Sequence, residues 1–157
     1  MPSTASHRHR RDPAITSRMM AAVRNKDSRA ELALRRELHR RGARYRLHAP
    51  DVAGRPDLVV RKARLAVFVD GDFWHGNSWR LRGLPSLEAQ FPTRTEWWTA
   101  KIRRNMERDE EVTRQLRTDG WRVIRLWESD VLRDPAAAAE TVIAALRAPP
   151  PPSDQTP

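Results

Sequence analysis

The sequence predicts an α/β domain, with a central mixed β-sheet of about four or five strands flanked by α-helices. Three observations predict it. The Val- and Leu-rich stretches 57–61 and 64–70 lie either side of a basic turn, Arg61-Lys62-Ala63, as in an antiparallel hairpin. Trp121-Arg-Val-Ile-Arg-Leu-Trp127 reads as a further strand. Between 64–70 and 121–127 runs a helix-like segment, from about Thr95 to Thr118, and a parallel strand pair needs such a crossover.

Each element has a local reason. Residues 1–13 are polar, basic and without periodicity, and read as a disordered tail. Thr16 or Ser17 caps a short helix through Met19, Met20 and Val23. Asp27 or Ser28 caps a second helix, with Glu31 in its first turn, a buried stripe of Ala30, Leu34 and Leu38, and Gly42 at its end. Residues 43–47 alternate with period two and read as a strand. The stretch 76–93, with its Gly, Pro and Ser, reads as a loop. The long helix ends near Gly120, and Asp134 caps a last helix, Pro135 to Arg147, with Pro in the first turn. The Pro-rich tail 149–157 suits neither helix nor sheet, so the folded domain is expected over 14–148.

Composition narrows the class. A chain of 157 residues with 39% hydrophobic residues fits one domain with a real core. No apolar run approaches the ~18 residues a membrane span needs, and the N-terminus lacks the apolar segment of a secretory signal. There is no cysteine, which excludes disulfides and thiolate metal sites and suits the cytoplasm. Lys and Arg total 30 against 20 Asp and Glu, a net charge of +10 that attracts polyanions. An Arg-favouring coding bias would produce part of the same excess.

The chemistry-bearing residues gather where strands end. Asp57 opens one strand, and the next ends in Val69-Asp70-Gly71-Asp72. Neighbouring strands lie about 4.8 Å apart, so carboxylates at adjacent ends can share one ion. Such oxygens suit Mg²⁺, which assists displacement at phosphorus. Each Asp taken singly is also ordinary turn chemistry. His75 follows at once and accepts protons near neutrality, although alone it reads equally as a surface histidine. His39 and His48 have no acidic partner at meaningful spacing. On the long helix Trp98, Ile102, Asn105, Asp109, Val112 and Leu116 share one face. Asp109 therefore interrupts an apolar stripe, as Glu31 does beside Leu34 and Leu38, and each needs a partner there. A salt bridge to one of the many Arg residues and a catalytic role both meet that need. Phe73 and Trp74 are consecutive in a post-strand loop, where extended chain points them to opposite sides. They suit stacking on or between bases, or capping the sheet edge.

Taken together these residues resemble the very-short-patch-repair (Vsr) endonucleases. The match runs in order through Ser17-Arg-Met-Met20, Gly54-Arg-Pro-Asp57, Val67-Phe68 to Gly71, Phe73-Trp74-His75, Pro92-Thr-Arg-Thr-Glu-Trp-Trp98, Lys101-Ile102, Asn105, Glu107-Arg-Asp109, Gly120-Trp-Arg-Val123 and Trp127-Glu128. The resemblance implies a restriction-endonuclease-like fold and a Mg²⁺-dependent enzyme that nicks one strand of double-stranded DNA at a T·G mismatch left by 5-methylcytosine deamination. It implies Asp57 and the Val69 carbonyl as Mg²⁺ ligands and His75 as the residue that activates or positions water. Asp109 and Glu31 would orient the site, Asp109 by pairing with His75. Phe73, Trp74 and Trp98 would be the wedge beside the mismatch, with Met20 from the other groove. Lys101 and Asn105 would lie near the mismatched pair, and Arg55 and Arg94 belong to the matched motifs as candidate phosphate contacts.

The chain also departs from the family pattern. Asp70 stands where many members have histidine; it becomes a candidate metal ligand or acid. Members commonly hold a structural zinc after the Phe-Trp-His segment, but the corresponding residues here are Asp72, Asn77, Trp79 and Ser129, so no structural zinc is expected. A monomer is expected, working in the cytoplasm on nucleoid DNA, with mismatch-repair proteins or a cytosine-5 methyltransferase as candidate partners. Two rival readings are a sequence-specific restriction-type nuclease on the same fold and a DNA-binding module without catalysis.

Overall fold

The computed structural model describes residues 27–150. The N-terminal tail, the expected helix around Met20 and most of the Pro-rich tail lie outside the described residues. Helix α1 spans Arg29–Arg40. Ser28 caps it by accepting the Glu31 N–H on its Oγ at 3.2 Å. Ala30, Leu34 and Leu38 are buried along one face.

Four strands follow: β1 (Arg46–Leu47), β2 (Leu58–Val60), β3 (Leu65–Asp70) and, much later, β4 (Arg122–Trp127). They form one sheet in the order β1-β2-β3-β4. The β1–β2 and β2–β3 pairs are antiparallel, with Leu58 opposite Val67. The β3–β4 pair is parallel, with Asp70 opposite Trp127. Helix α3 (Thr95–Thr118) is the expected crossover. Strand β1 is shorter than the alternation at 43–47 suggests: it is an edge strand with both side chains exposed, so one face's burial does not extend it.

The segment 76–93 differs from the expected plain loop. It contains α2 (Ser78–Leu81) and a 3-10 turn at Glu88–Gln90. Pieces this short leave no periodicity to read. Strand β4 also runs directly into α4 (Glu128–Arg133), followed by α5 (Pro135–Arg147), which Asp134 caps by accepting the Ala137 N–H at 3.0 Å.

The strand pleat splits the core in two. Leu58, Leu65 and Val67 face α1, α4 and α5, where Leu34, Leu38, Val131, Val142 and Ile143 are buried. Val59, Ala66 and Phe68 face the other way, onto Leu116 and Val112 of α3. A third cluster of Leu87, Phe91 and Ile102 lies beyond the sheet, with Phe73, Trp74, Trp79, Trp98 and Met106 packed on it. Because β2 runs against β3 and β4 runs with it, the start of β2 and the ends of β3 and β4 share one edge of the sheet. Among the described residues no helix is long and apolar enough to cross a membrane.

Candidate active site

Asp57 reaches that edge through a tight turn. Gly54 and Arg55 both have positive φ, 75° and 50°. A side chain at Gly54 would collide with Val112, so the turn approaches α3 as only glycine allows. Pro56 is buried and fixes the next backbone angle. The Asp57 carboxylate then accepts the Val69 N–H at 2.7 Å. Burial pushes its pKa up to about 6; the nearby charges of Glu31 and Asp70 add to the rise, while the Val69 N–H and His48 act against it.

Asp70, His75 and Asp109 come together beside it, each offering an atom within 4.8 Å of the others. His75 Nδ1 lies 2.5 Å from Asp109 Oδ2 and 3.8 Å from Asp70 Oδ1. Asp109 thus meets its burial cost with an imidazole, as its place on the apolar stripe of α3 requires. Burial lowers the His75 pKa, but the hydrogen bond and charges of Asp109 and Asp70 outweigh it, and the net shift is upward. Asp70 is held by an arginine the sequence reading did not single out. Arg125 Nη1 donates to both its carboxylate oxygens, at 2.9 and 3.0 Å, while Nε donates to Thr113 at 2.9 Å. Burial nonetheless raises the Asp70 pKa, against the pull of His75 and Arg125. Strand β4 alternates Val123, Arg125 and Trp127, and an arginine inside that run was the available signal.

Glu31 sits in a neighbouring group. Arg35 donates to it at 3.0 Å and to Asp27 at 2.6 Å. His48 was expected to lack an acidic partner, yet its Nε2 lies 3.5 Å from Asp27 and 3.9 Å from Glu31. The partners come from α1 and the turn before it, far in sequence from β1, so no local spacing reports them. His48 also donates its backbone N–H to the Asp57 carbonyl at 3.2 Å, which places the Glu31 group directly behind Asp57.

The aromatic residues are packed rather than splayed. Phe73 and Trp74 meet edge-on at 4.9 Å, Phe73 contacts Trp98 at 5.7 Å, and Phe91 stacks on Trp98 at 5.2 Å. The expectation that consecutive residues diverge fails because 71–77 is a turn, with the His75 N–H bonded to the Gly71 carbonyl at 3.1 Å. The Trp74 indole N–H is buried without a partner. Asn105 donates to the Trp74 carbonyl at 3.0 Å, and Lys101 Nζ sits 5.3 Å from the Trp74 ring. Trp97, not selected from the sequence, is 44% exposed. It lies between Arg94, at 4.6 Å, and Lys101, at 5.1 Å. Arg55 and Arg94 are exposed, and Met20 lies outside the described residues.

A carboxylate-buttressed histidine, an Asp57 carboxylate with no salt-bridge partner among the described residues and a cation-flanked aromatic ledge suit hydrolysis of a phosphodiester in a nucleic acid. Comparison with known proteins agrees. A family model described as "DNA mismatch endonuclease Vsr" matches residues 9–81. The chain is 39% identical to "Type II nicking enzyme V.NmeDIP" of Neisseria meningitidis serogroup C, over 86% of this chain and 88% of the relative. It is 37% identical to "Type II nicking enzyme V.HpaIIP" of Haemophilus parainfluenzae, over 74% and 79% respectively. It is also 37% identical to "DNA mismatch endonuclease Vsr" of Escherichia coli (strain K12), over 74% and 71%. The α/β fold, the mixed sheet and these relatives lead to one conclusion: the chain is a DNA endonuclease and belongs to the DNA mismatch endonuclease Vsr family.

Proposed function

We propose that the enzyme nicks one strand of duplex DNA at a T·G mismatch, with Mg²⁺ as its metal, and that it does so on chromosomal DNA in the cytoplasm. The observation that carries this reading is the His75–Asp109 pair set beside Asp57 and Asp70 at one end of the sheet. The donors around Asp57 are oxygens, and burial leaves its charge under-compensated, which fits a hard divalent cation. Asp57 and the Val69 carbonyl would hold the ion, with Asp70 as a further oxygen donor. When bound, Mg²⁺ supplies charge neutralisation at the scissile phosphate.

The chain's own groups do the rest. Asp109 accepts the Nδ1 proton of His75, which fixes the tautomer that leaves Nε2 as acceptor. His75 Nε2 then takes a proton from the attacking water. Glu31, held by Arg35, keeps negative charge behind Asp57 and favours cation capture there. Phe73, Trp74 and Trp98 serve as the wedge. The unpartnered indole N–H of Trp74 supports a ring that finds its hydrogen bond only in the DNA complex. Lys101, Asn105, Arg55 and Arg94 contact the pair and the flanking phosphates.

A strand-labelled nicking assay on T·G, U·G and fully paired duplexes, with and without Mg²⁺, tests the reading. Nicking confined to the mismatched strand and dependent on Mg²⁺ is expected. Equal cutting of paired and mismatched duplexes would support the restriction-type alternative instead.

A further inference from the structure

Members of the resembled family commonly hold a structural zinc beyond the Phe-Trp-His segment, and the residues present here do not fit one. The Asp72 carboxylate already accepts three hydrogen bonds from protein donors. Its Oδ1 accepts the Asn77 amide at 2.7 Å and the Ser129 hydroxyl at 2.8 Å, and its Oδ2 accepts the Ser129 N–H at 3.0 Å. Its backbone carbonyl accepts the N–H groups of Asn77, at 2.8 Å, and Ser78, at 3.0 Å. Asn77 is buried, at 8% exposure. No thiolate or imidazole joins this set, and zinc has little affinity for an amide, a hydroxyl and one carboxylate that already accepts three hydrogen bonds.

We propose that Asp72 is a positioning residue, a metal-free clasp that ties the loop carrying Phe73, Trp74 and His75 to Ser129 at the start of α4. The proposal rests on His75 as the base. The hydrogen bonds that hold Trp74 and His75 to a helix run to α3: Asn105 to the Trp74 carbonyl and Asp109 to His75. Gly76 also packs there, where an added Cβ would lie 2.5 Å from Met106 Sδ. The Asp72–Ser129 bonds supply the opposing wall, on the β4–α4 side. A loop held from both sides keeps its imidazole in register with the edge of the sheet. A loop held from one side lets it drift, and a displacement of about 1 Å can cost on the order of 10²-fold in rate.

The full-length protein, purified without added metal, is assayed for zinc by plasma mass spectrometry. It is then treated with a zinc-selective chelator and returned to excess Mg²⁺. Zinc well below one per chain and undiminished nicking are expected; one zinc per chain, with activity lost until zinc is restored, would overturn the clasp. Asp72→Ala and Ser129→Ala are then compared. Each should lower the single-turnover nicking rate about tenfold or more while DNA affinity changes little, with the double variant no worse than Asp72→Ala. Asp72→Asn, which keeps an Oδ1 acceptor, should recover part of the loss. The low-field Nδ1 proton of His75 should shift or broaden by NMR in Asp72→Ala. That readout needs no turnover, so it separates failure of the clasp from failure of His75 as base. Should Asp72→Ala not fold, Ser129→Ala decides, since it removes one hydroxyl and keeps the backbone bond. Wild-type rate together with an unchanged His75 signal in Ser129→Ala refutes the proposal.

Discussion

At the scale of single residues the site is a balance of buried charges. Asp57 keeps its proton up to about pH 6, above the ordinary value of 3.8, because burial disfavours its charge. A carboxylate whose folded pKa is raised gives stability that is full below the unfolded value and lost as pH rises through the folded one. The metal-free enzyme should therefore lose stability between about pH 4 and pH 6, and Mg²⁺ should restore it above that window. Asp57→Asn should melt higher than the wild type at pH 7.5 without Mg²⁺ and show no shift when Mg²⁺ is added. Thermal melts across pH check this; a wild-type Mg²⁺ shift in the variant would remove Asp57 from the metal site. Asp109→Asn should leave DNA binding intact but lower the nicking rate about 10²- to 10⁴-fold, because His75 loses the acceptor that fixes its tautomer. A rate within threefold of wild type in single-turnover assays would make that pair merely structural.

At the scale of elements the hairpin, the crossover helix and the last helix were legible, because each rests on a local rule: a polar turn between apolar runs, a 3.6-residue stripe, a capping Asp before Pro. Asp109 was legible for the same reason, since an acid on an apolar stripe must meet a partner. Arg125 and His48 were not, because the partner of Arg125 lies across the β3–β4 pairing and those of His48 lie in α1 and the turn before it, contacts that sequence spacing does not encode. Helix α2 and the aromatic nest were hidden by short turns that break both periodicities. The nest depends on Gly76, with φ of 83° and Met106 against its missing Cβ. Gly76→Ala should destabilise the fold by about 1–3 kcal/mol, read from urea midpoints. Trp74→Ala should cut the preference for mismatched over paired duplex while leaving Mg²⁺-induced stabilisation in place, and an unchanged preference would end the wedge role. Trp97→Ala, on the exposed side between Arg94 and Lys101, should weaken binding to both duplexes alike.

At the scale of the whole molecule the chain carries a net charge of +10. Glu31 of α1 and Asp70 at the end of β3 are buried, while Arg55, Arg94, Arg103 and Arg104 are exposed. Affinity for DNA should fall steeply with salt, by a slope near 0.9 per phosphate contacted, and equally for mismatched and paired duplexes, since phosphates carry no sequence information. In the proposed mechanism discrimination belongs to the aromatic ledge and chemistry to the edge of the sheet, two functions joined by the loop from Gly71 to Asn77. The most direct test of that division is one experiment on Asp57→Asn with a strand-labelled T·G duplex in Mg²⁺, reading binding and nicking in the same samples. Binding within about twofold of wild type with no detectable nick is expected. Nicking at the wild-type rate would contradict it.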